Sequence, residues 1–147
     1  MAVIISEGIE SERKYPLWDR YTIGGYIYEF PAGLVESNEE FHEGAVREMY
    51  EETGLKFTPL KVDPAFEKPY FTTVGMTDES CATVYGYAEG EISKDAQEDT
   101  EEIEVVLADR EEVKRILREE NVAIMCAYML MHFIHTKGDP LAFLDEQ

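Results

Sequence analysis

A layered α/β fold (α+β in content), with a mixed β-sheet sandwiched between helices, is the architecture this sequence predicts. Three observations carry it. Strand-like and helix-like segments are interspersed along the chain rather than segregated. One helix, Ser37–Thr53, carries signals at both of its ends. The 147 residues, 44% of them hydrophobic, suit one domain over 1–147 with chain enough to bury a core without disulfides or structural metal.

The elements follow in order. Residues 2–6 read as a short strand, and the polar stretch Glu7–Arg13 as a turn. Lys14–Arg20 reads as a second strand, edge or irregular because of Pro16. Gly24-Gly25 marks a turn, and Tyr26–Phe30 is rich in β-formers until Pro31-Ala32-Gly33 stops it. In the helix, Ser37 with Glu40 predicts a capping box, and first-turn acids suit the helix dipole. Gly54 stands where a left-handed C-cap is expected. Phe41, Ala45, Val46 and Met49 offer an apolar stripe to the core. Strands are expected near Ala65–Thr73 and Cys81–Ala88, joined by a turn over Gly75–Ser80, with Phe71 in the core. An acidic loop, Asp95–Glu102, leads to a strand at Ile103–Leu107. Asp109 can cap a helix over Glu111–Arg118, and an apolar helix runs from about Val122 to Thr136.

Charge excludes several roles. Thirteen Lys and Arg face 32 Asp and Glu, a net charge of −19. Nucleic-acid phosphate and anionic membranes need clustered cations, so neither is an expected partner. A small phosphorylated ligand remains compatible if a divalent cation stands between it and the carboxylates. Cys81 and Cys126 fit no metal-ligand spacing and read as reduced, partly buried thiols. His42, His132 and His135 read as packing or surface residues. The N-terminus has no signal-peptide pattern, and the longest apolar stretch, Val122–Met131, is too short for a membrane span; a soluble cytoplasmic protein is expected.

Residues 36–52 hold seven carboxylates (Glu36, Glu39, Glu40, Glu43, Glu48, Glu51, Glu52) and one cation, Arg47. A solvated helix face would alternate signs to gain i,i+4 pairs. Glu48, Glu51 and Glu52 instead stand at i, i+3 and i+4 and share one side of the helix. At roughly 5–6 Å and an effective dielectric of about 20, each close like-charge pair costs on the order of 3 kcal/mol before screening. Held near a pocket, such carboxylates are relieved by a divalent cation, and their oxygens suit Mg²⁺, Mn²⁺ or Ca²⁺ rather than zinc.

The full pattern is more specific. It runs Gly33, five residues, Glu39, seven residues, then Arg47-Glu48-Met49-Tyr50-Glu51-Glu52-Thr53-Gly54-Leu55. This resembles the box of the Nudix hydrolase family, with every defining position filled. The resemblance implies an α/β/α sandwich with a loop-helix-loop at its centre. It implies that Glu48, Glu51 and Glu52, with the carbonyl of Ala32, bind divalent metal, Mg²⁺ or Mn²⁺. It gives Arg47 the task of orienting a neighbouring glutamate and Glu39 that of supporting the loop-helix geometry. The reaction implied is hydrolysis of a nucleoside diphosphate linked to another group.

Flanking residues resemble the ADP-ribose and ADP-sugar pyrophosphatase branch. Glu29-Phe30-Pro31-Ala32-Gly33-Leu34 looks like its lead-in, which brings Leu34 to the substrate. Trp18-Asp19-Arg20 takes the place of its Gln-aromatic-Arg, making Arg20 a candidate for phosphate or ribose; Trp18, with Tyr15 and Tyr21 beside it, is a candidate for base stacking or else for packing. The acidic loop matches the place of a late glutamate acting as base or metal ligand. Glu101 is the closest match, with Glu98, Asp99 and Glu102 as rivals. The expected reaction turns ADP-ribose into AMP and ribose 5-phosphate. Other expectations are a dinucleoside polyphosphate, a modified nucleoside triphosphate, or a non-catalytic ligand sensor on the same fold. A homodimer is possible; the stripe Met125 and Met129, with Leu130 and Phe133, reads as core or dimer surface.

Overall fold

The computed structural model of the protein describes residues 1–8, 26–97 and 102–145. Its strands are β1 (Ala2–Gly8), β2 (Ile27–Glu29), β3 (Lys56–Pro59), β4 (Tyr70–Phe71), β5 (Ser80–Cys81), β6 (Gly86–Glu89) and β7 (Glu102–Ala108). The helices are α1 (Phe41–Thr53), the single turn α2 (Pro64–Glu67), α3 (Arg110–Glu119) and α4 (Ile124–His135). A 3₁₀ turn, Ala142–Leu144, follows.

The largest sheet has the order β2-β1-β7. β1 pairs antiparallel with β7 along its whole length, from Ala2 opposite Ala108 to Gly8 opposite Glu102. β2 adds the other edge, with Ile5 opposite Glu29. A single parallel bridge joins Tyr28 to Val122 and brings the start of α4 to that edge. Ile4, Ala108, Val113, Ile116, Cys126 and Leu130 form the core between this sheet and helices α3 and α4. Side chains alternate along a strand, so Ala108 and Val106 share the face turned to that core. Ile103, an odd number of residues away, is buried on the opposite face. Mixed helix and strand content is thus the observed architecture, as expected, but the ladders among the described residues are all antiparallel, so the expected mixed sheet is replaced by small antiparallel ones with one isolated parallel bridge.

Local chemistry explains α3. The Asp109 side chain accepts from the N–H groups of Glu111 and Glu112, and Val113 with Ile116 supplies the buried stripe. α1 packs instead against β3 and also reaches β7. β3 and β6 form an antiparallel pair, where a Cβ at Gly86 would strike the Phe57 ring and the Thr58 carbonyl. The tail packs back: Phe143 meets Phe66, Tyr85 and His132 edge-on.

Several expectations are corrected. α1 begins at Phe41, not Ser37, because Asn38 adopts a left-handed φ of 74° that no helix can pass through. The capping box is Glu40 with Glu43. The stripe Phe41, Ala45, Val46 and Met49 is only half-buried, with Val46 exposed; α1 buries Gly44, Glu52 and Thr53. The stretch Ala65–Thr73 is not one strand: Asp63 caps a helical turn that starts at Pro64, leaving only Tyr70–Phe71 extended. Phe71 is 67% exposed rather than core. Cys81–Ala88 divides into β5 and β6, and β3 has no counterpart in the sequence reading. The expected strand at Lys14–Arg20 lies outside the described residues. Among the described residues no helix is long and apolar enough to cross a membrane.

Candidate active site

The site is assembled by the loop after β2 and by α1. Pro31 ends the strand, and the chain turns through Ala32, Gly33 and Leu34 into the tight turn at Asn38. Glu39 is pinned there: its Oε2 accepts the Glu36 N–H at 3.0 Å. α1 then starts with the Glu40 N–H donating to Glu43 Oε2 at 3.3 Å. Its other end stops at Gly54, with φ 75° and an N–H donating to Tyr50 O at 2.8 Å. Thr53 is fully buried, its hydroxyl donating to Met49 O and accepting the Leu55 N–H.

A cavity of about 280 Å³ opens between loop and helix. Ala32, Gly33 and Leu34 line one side; Arg47, Glu48, Glu51 and Glu52 line the other, with Gln97. Glu52 is buried, Glu48 mostly so, and Glu51 is the most exposed of the three. The i, i+3, i+4 spacing therefore places all three glutamates on one cavity. Gly33 is part of that placement, because a Cβ there would land on the Glu48 carboxylate.

Arg47 is the hub. Its Nε donates to Glu39 Oε1 at 3.0 Å, and one Nη to Glu39 Oε2 at 3.1 Å and Leu34 O at 3.0 Å. The other Nη donates to Glu48 Oε1 at 2.8 Å and Glu51 Oε2 at 2.9 Å. Each N–H of the guanidinium fork is thereby used. These bonds hold the Arg47 proton far above its ordinary range, Glu39 contributing most. In return the Arg47 bond, helped by the Glu36 N–H, pulls the Glu39 carboxyl below its usual value.

The donor set fits a hard divalent cation: three carboxylates and the Ala32 carbonyl on one cavity, all oxygen. Among the described residues no three acidic, histidine or cysteine side chains stand close enough to grip one ion as they are. Arg47 instead spans Glu48 and Glu51, a resident cation between two of the carboxylates.

The structure brings Ala32, Leu34, Glu39, Arg47, Glu48, Glu51 and Glu52 together. Trp18, Arg20 and Glu101, with Glu98 and Asp99, lie outside the described residues; Glu102 opens β7. Two groups escaped the sequence reading. Gln97 lines the cavity and donates to the Glu52 carbonyl at 2.7 Å. His42 Nε2 meets the buried Glu67 carboxylate at 3.0 Å. Only the fold shows such distant partners; a neutral amide within an acidic run was the one visible sign of Gln97. The His132 ring nitrogen lies 3.0 Å from Pro140 O and His135 Nδ1 2.7 Å from Met131 O; both side chains are exposed, the surface alternative of the expectation.

A loop-helix-loop that brings three glutamates onto one cavity, set in an α+β fold, is the arrangement of a domain with an acidic, oxygen-donor site. Residues 10–127 match the model of the NUDIX domain, and the chain belongs to the Nudix family. It is similar to putative nudix hydrolase 2 of Caenorhabditis elegans, with 30% identity over 96 residues. That match covers 62% of this chain and 42% of the relative, so the chain spans less than half of that protein's length. Nudix enzymes generally use divalent metal ions.

Proposed function

We propose that the protein is a divalent-metal-dependent Nudix hydrolase that cleaves the pyrophosphate link of ADP-ribose or a related nucleoside diphosphate sugar. The observation that carries the reading is the single cavity onto which Glu48, Glu51, Glu52 and Ala32 converge, beneath a complete family box. The narrower substrate rests on the lead-in Glu29–Leu34 and its likeness to the ADP-sugar branch.

Glu48, Glu51, Glu52 and the Ala32 carbonyl would hold Mg²⁺ or Mn²⁺. When bound, the ion supplies charge screening for the diphosphate and lowers the pKa of water. Everything else falls to the chain. Arg47 keeps Glu48 and Glu51 from splaying and locks them to Glu39 and the Leu34 carbonyl. Leu34, 88% exposed at the cavity rim, offers an apolar contact to the substrate. Arg20 takes a phosphate or ribose, and Trp18 stacks on the base. Glu101 accepts the proton as the water oxygen bonds to phosphorus and the bridging P–O bond breaks. The products are AMP and ribose 5-phosphate.

A substrate panel tests this directly. ADP-ribose and nucleotide sugars should be hydrolysed to AMP and a sugar phosphate, with activity lost in excess chelator and restored by Mg²⁺ or Mn²⁺. Metal should also raise the melting temperature, since it binds the folded site. Turnover of dinucleoside polyphosphates or modified triphosphates instead would move the substrate within the family. Tight binding without turnover in the presence of metal would make the protein a ligand sensor.

A further inference from the structure

We infer that Gln97 is a positioning residue: its side-chain amide fixes the last turn of α1, and with it the Glu52 carboxylate, against the cavity. The catalytic consequence rests on the hydrolase reading above; the tie itself does not.

A helix leaves its last four carbonyls without intrahelical partners. In α1 two neighbouring ones are closed by one short segment. Glu52 O accepts from Gln97 Nε2 at 2.7 Å, and Thr53 O accepts the Ser93 N–H at 3.1 Å. The segment is braced internally. Asp95 N–H donates to Ser93 Oγ at 3.1 Å, and Gln97 N–H donates to Lys94 O at 3.2 Å. It lies hard against the helix end, since a Cβ on Gly54 would run into the Ser93 backbone.

The same Gln97 Nε2 stands 3.5 Å from Ile103 O, at the start of β7. One amide therefore joins the end of the glutamate-bearing helix to the central strand layer. Gln97 also lines the cavity. Glu52 is buried, so its carboxylate has little room to move independently and goes where its backbone turn goes. The chemistry requires a donor: a carboxylate offers a carbonyl nothing but repulsion, whereas an amide NH₂ can serve two carbonyls at once. That requirement accounts for a neutral glutamine in the run Asp95-Ala96-Gln97-Glu98-Asp99.

The test uses Gln97→Met, which keeps length without a donor, and Gln97→Glu, which keeps shape without a donor. Three readouts are taken on the full chain. Hydrogen exchange at the Gly54 amide, whose bond closes the last turn, should quicken about fivefold in both metal-free variants, the scale of one lost hydrogen bond. Mn²⁺ affinity of Gln97→Met, titrated without substrate, should weaken by a similar factor. Its kcat should fall about tenfold while KM stays within about twofold, because the loss is in alignment rather than in substrate contacts. A merely structural role would lower the melting temperature while leaving the Mn²⁺ affinity and kcat of the folded protein at wild-type values, and that result overturns the inference. So does Gln97→Glu exchanging like the wild type, since shape alone would then suffice. If the wild type hydrolyses no substrate in the panel, the hydrolase reading falls, and Gly54 exchange with Mn²⁺ titration still decides the tie.

Discussion

Two acid-rich helices, α1 and α3, are built to opposite plans. α3 fully buries Val113 and Ile116 and keeps its charges outside in alternating sign. Arg115 spans Glu112 at 2.8 Å and Glu120 at 2.6 Å, and Lys114 meets Glu111 at 2.6 Å. α1 buries Gly44, Glu52 and Thr53, and no large apolar side chain. Its arginine points its whole fork at Glu39, Glu48, Glu51 and the Leu34 carbonyl. An acidic coat on a structural helix is neutralised locally and sits over an apolar stripe. Here the acids are gathered without alternation, and the helix gives up its own core to hold them. Its stability comes from outside its own stripe: the Glu40–Glu43 box, Gly54, and the Ser93–Gln97 segment.

The contrast breaks most visibly at single carboxylates. Glu52→Gln keeps volume and helix propensity, and turnover should fall on the order of 10²–10⁴ with the fold intact by circular dichroism. The matched Glu112→Gln should leave turnover unchanged. Exchanging the arginines comes next. An ammonium cannot reproduce the fork, so Arg47→Lys should cost at least about tenfold in turnover. Arg115→Lys should cost nothing in turnover and leave the melting temperature close to wild type, as exposed pairs do. Core truncation reverses the order. Ile116→Ala should lose about 2–5 kcal/mol in denaturant unfolding while kcat of the folded protein holds. Val46→Ala on α1 should cost no more than about 0.5 kcal/mol.

The smallest effect is a shared one. Glu39 and Glu112 are each held below the usual carboxylate range by an arginine hydrogen bond. Their folded pKa values are depressed, so the stabilisation is present above the ordinary glutamate range. It fades as pH falls through it and through the lowered value. Carboxyl chemical shifts should show both titrating late in acid. Arg47→Met should raise Glu39 alone toward the ordinary range, with the Glu36 N–H still holding it partly down; if Glu112 moves too, the two clusters are not independent.

Local signals were legible and distant ones were not. Gly54, the Asp109 cap, β7 and α4 all follow from a few neighbouring residues, as does the glutamate box. The start of α1 was misplaced because Ser37 and Glu40 have capping-box spacing, yet Asn38 turns left-handed and moves the box to Glu40 and Glu43. Asp63-Pro64 carried a cap and a first-turn proline that outrank the β-formers after them. β3 contains Lys56 and Pro59 and exists through its pairing with β6. In the site, Glu48, Glu51 and Glu52 were readable from helical spacing. Gln97 and the His42–Glu67 pair were not, because their partners lie 45 and 25 residues away.

The two ends of α1 also close on different length scales. At its start, Glu40 and Glu43 cap each other across three residues, a closure with almost no loop to order. At its end, the carbonyl of Glu52 takes its donor from 45 residues downstream, in the segment that follows the β3–β6 pair. Loop-closure entropy puts the second event later on the folding path. Contacts formed after the transition state act chiefly on the unfolding rate. Loss of the Gln97 tie should therefore steepen escape from the native state while hardly slowing entry, and the turn that bears Glu51 and Glu52 becomes the last part of α1 to set and the first to fray.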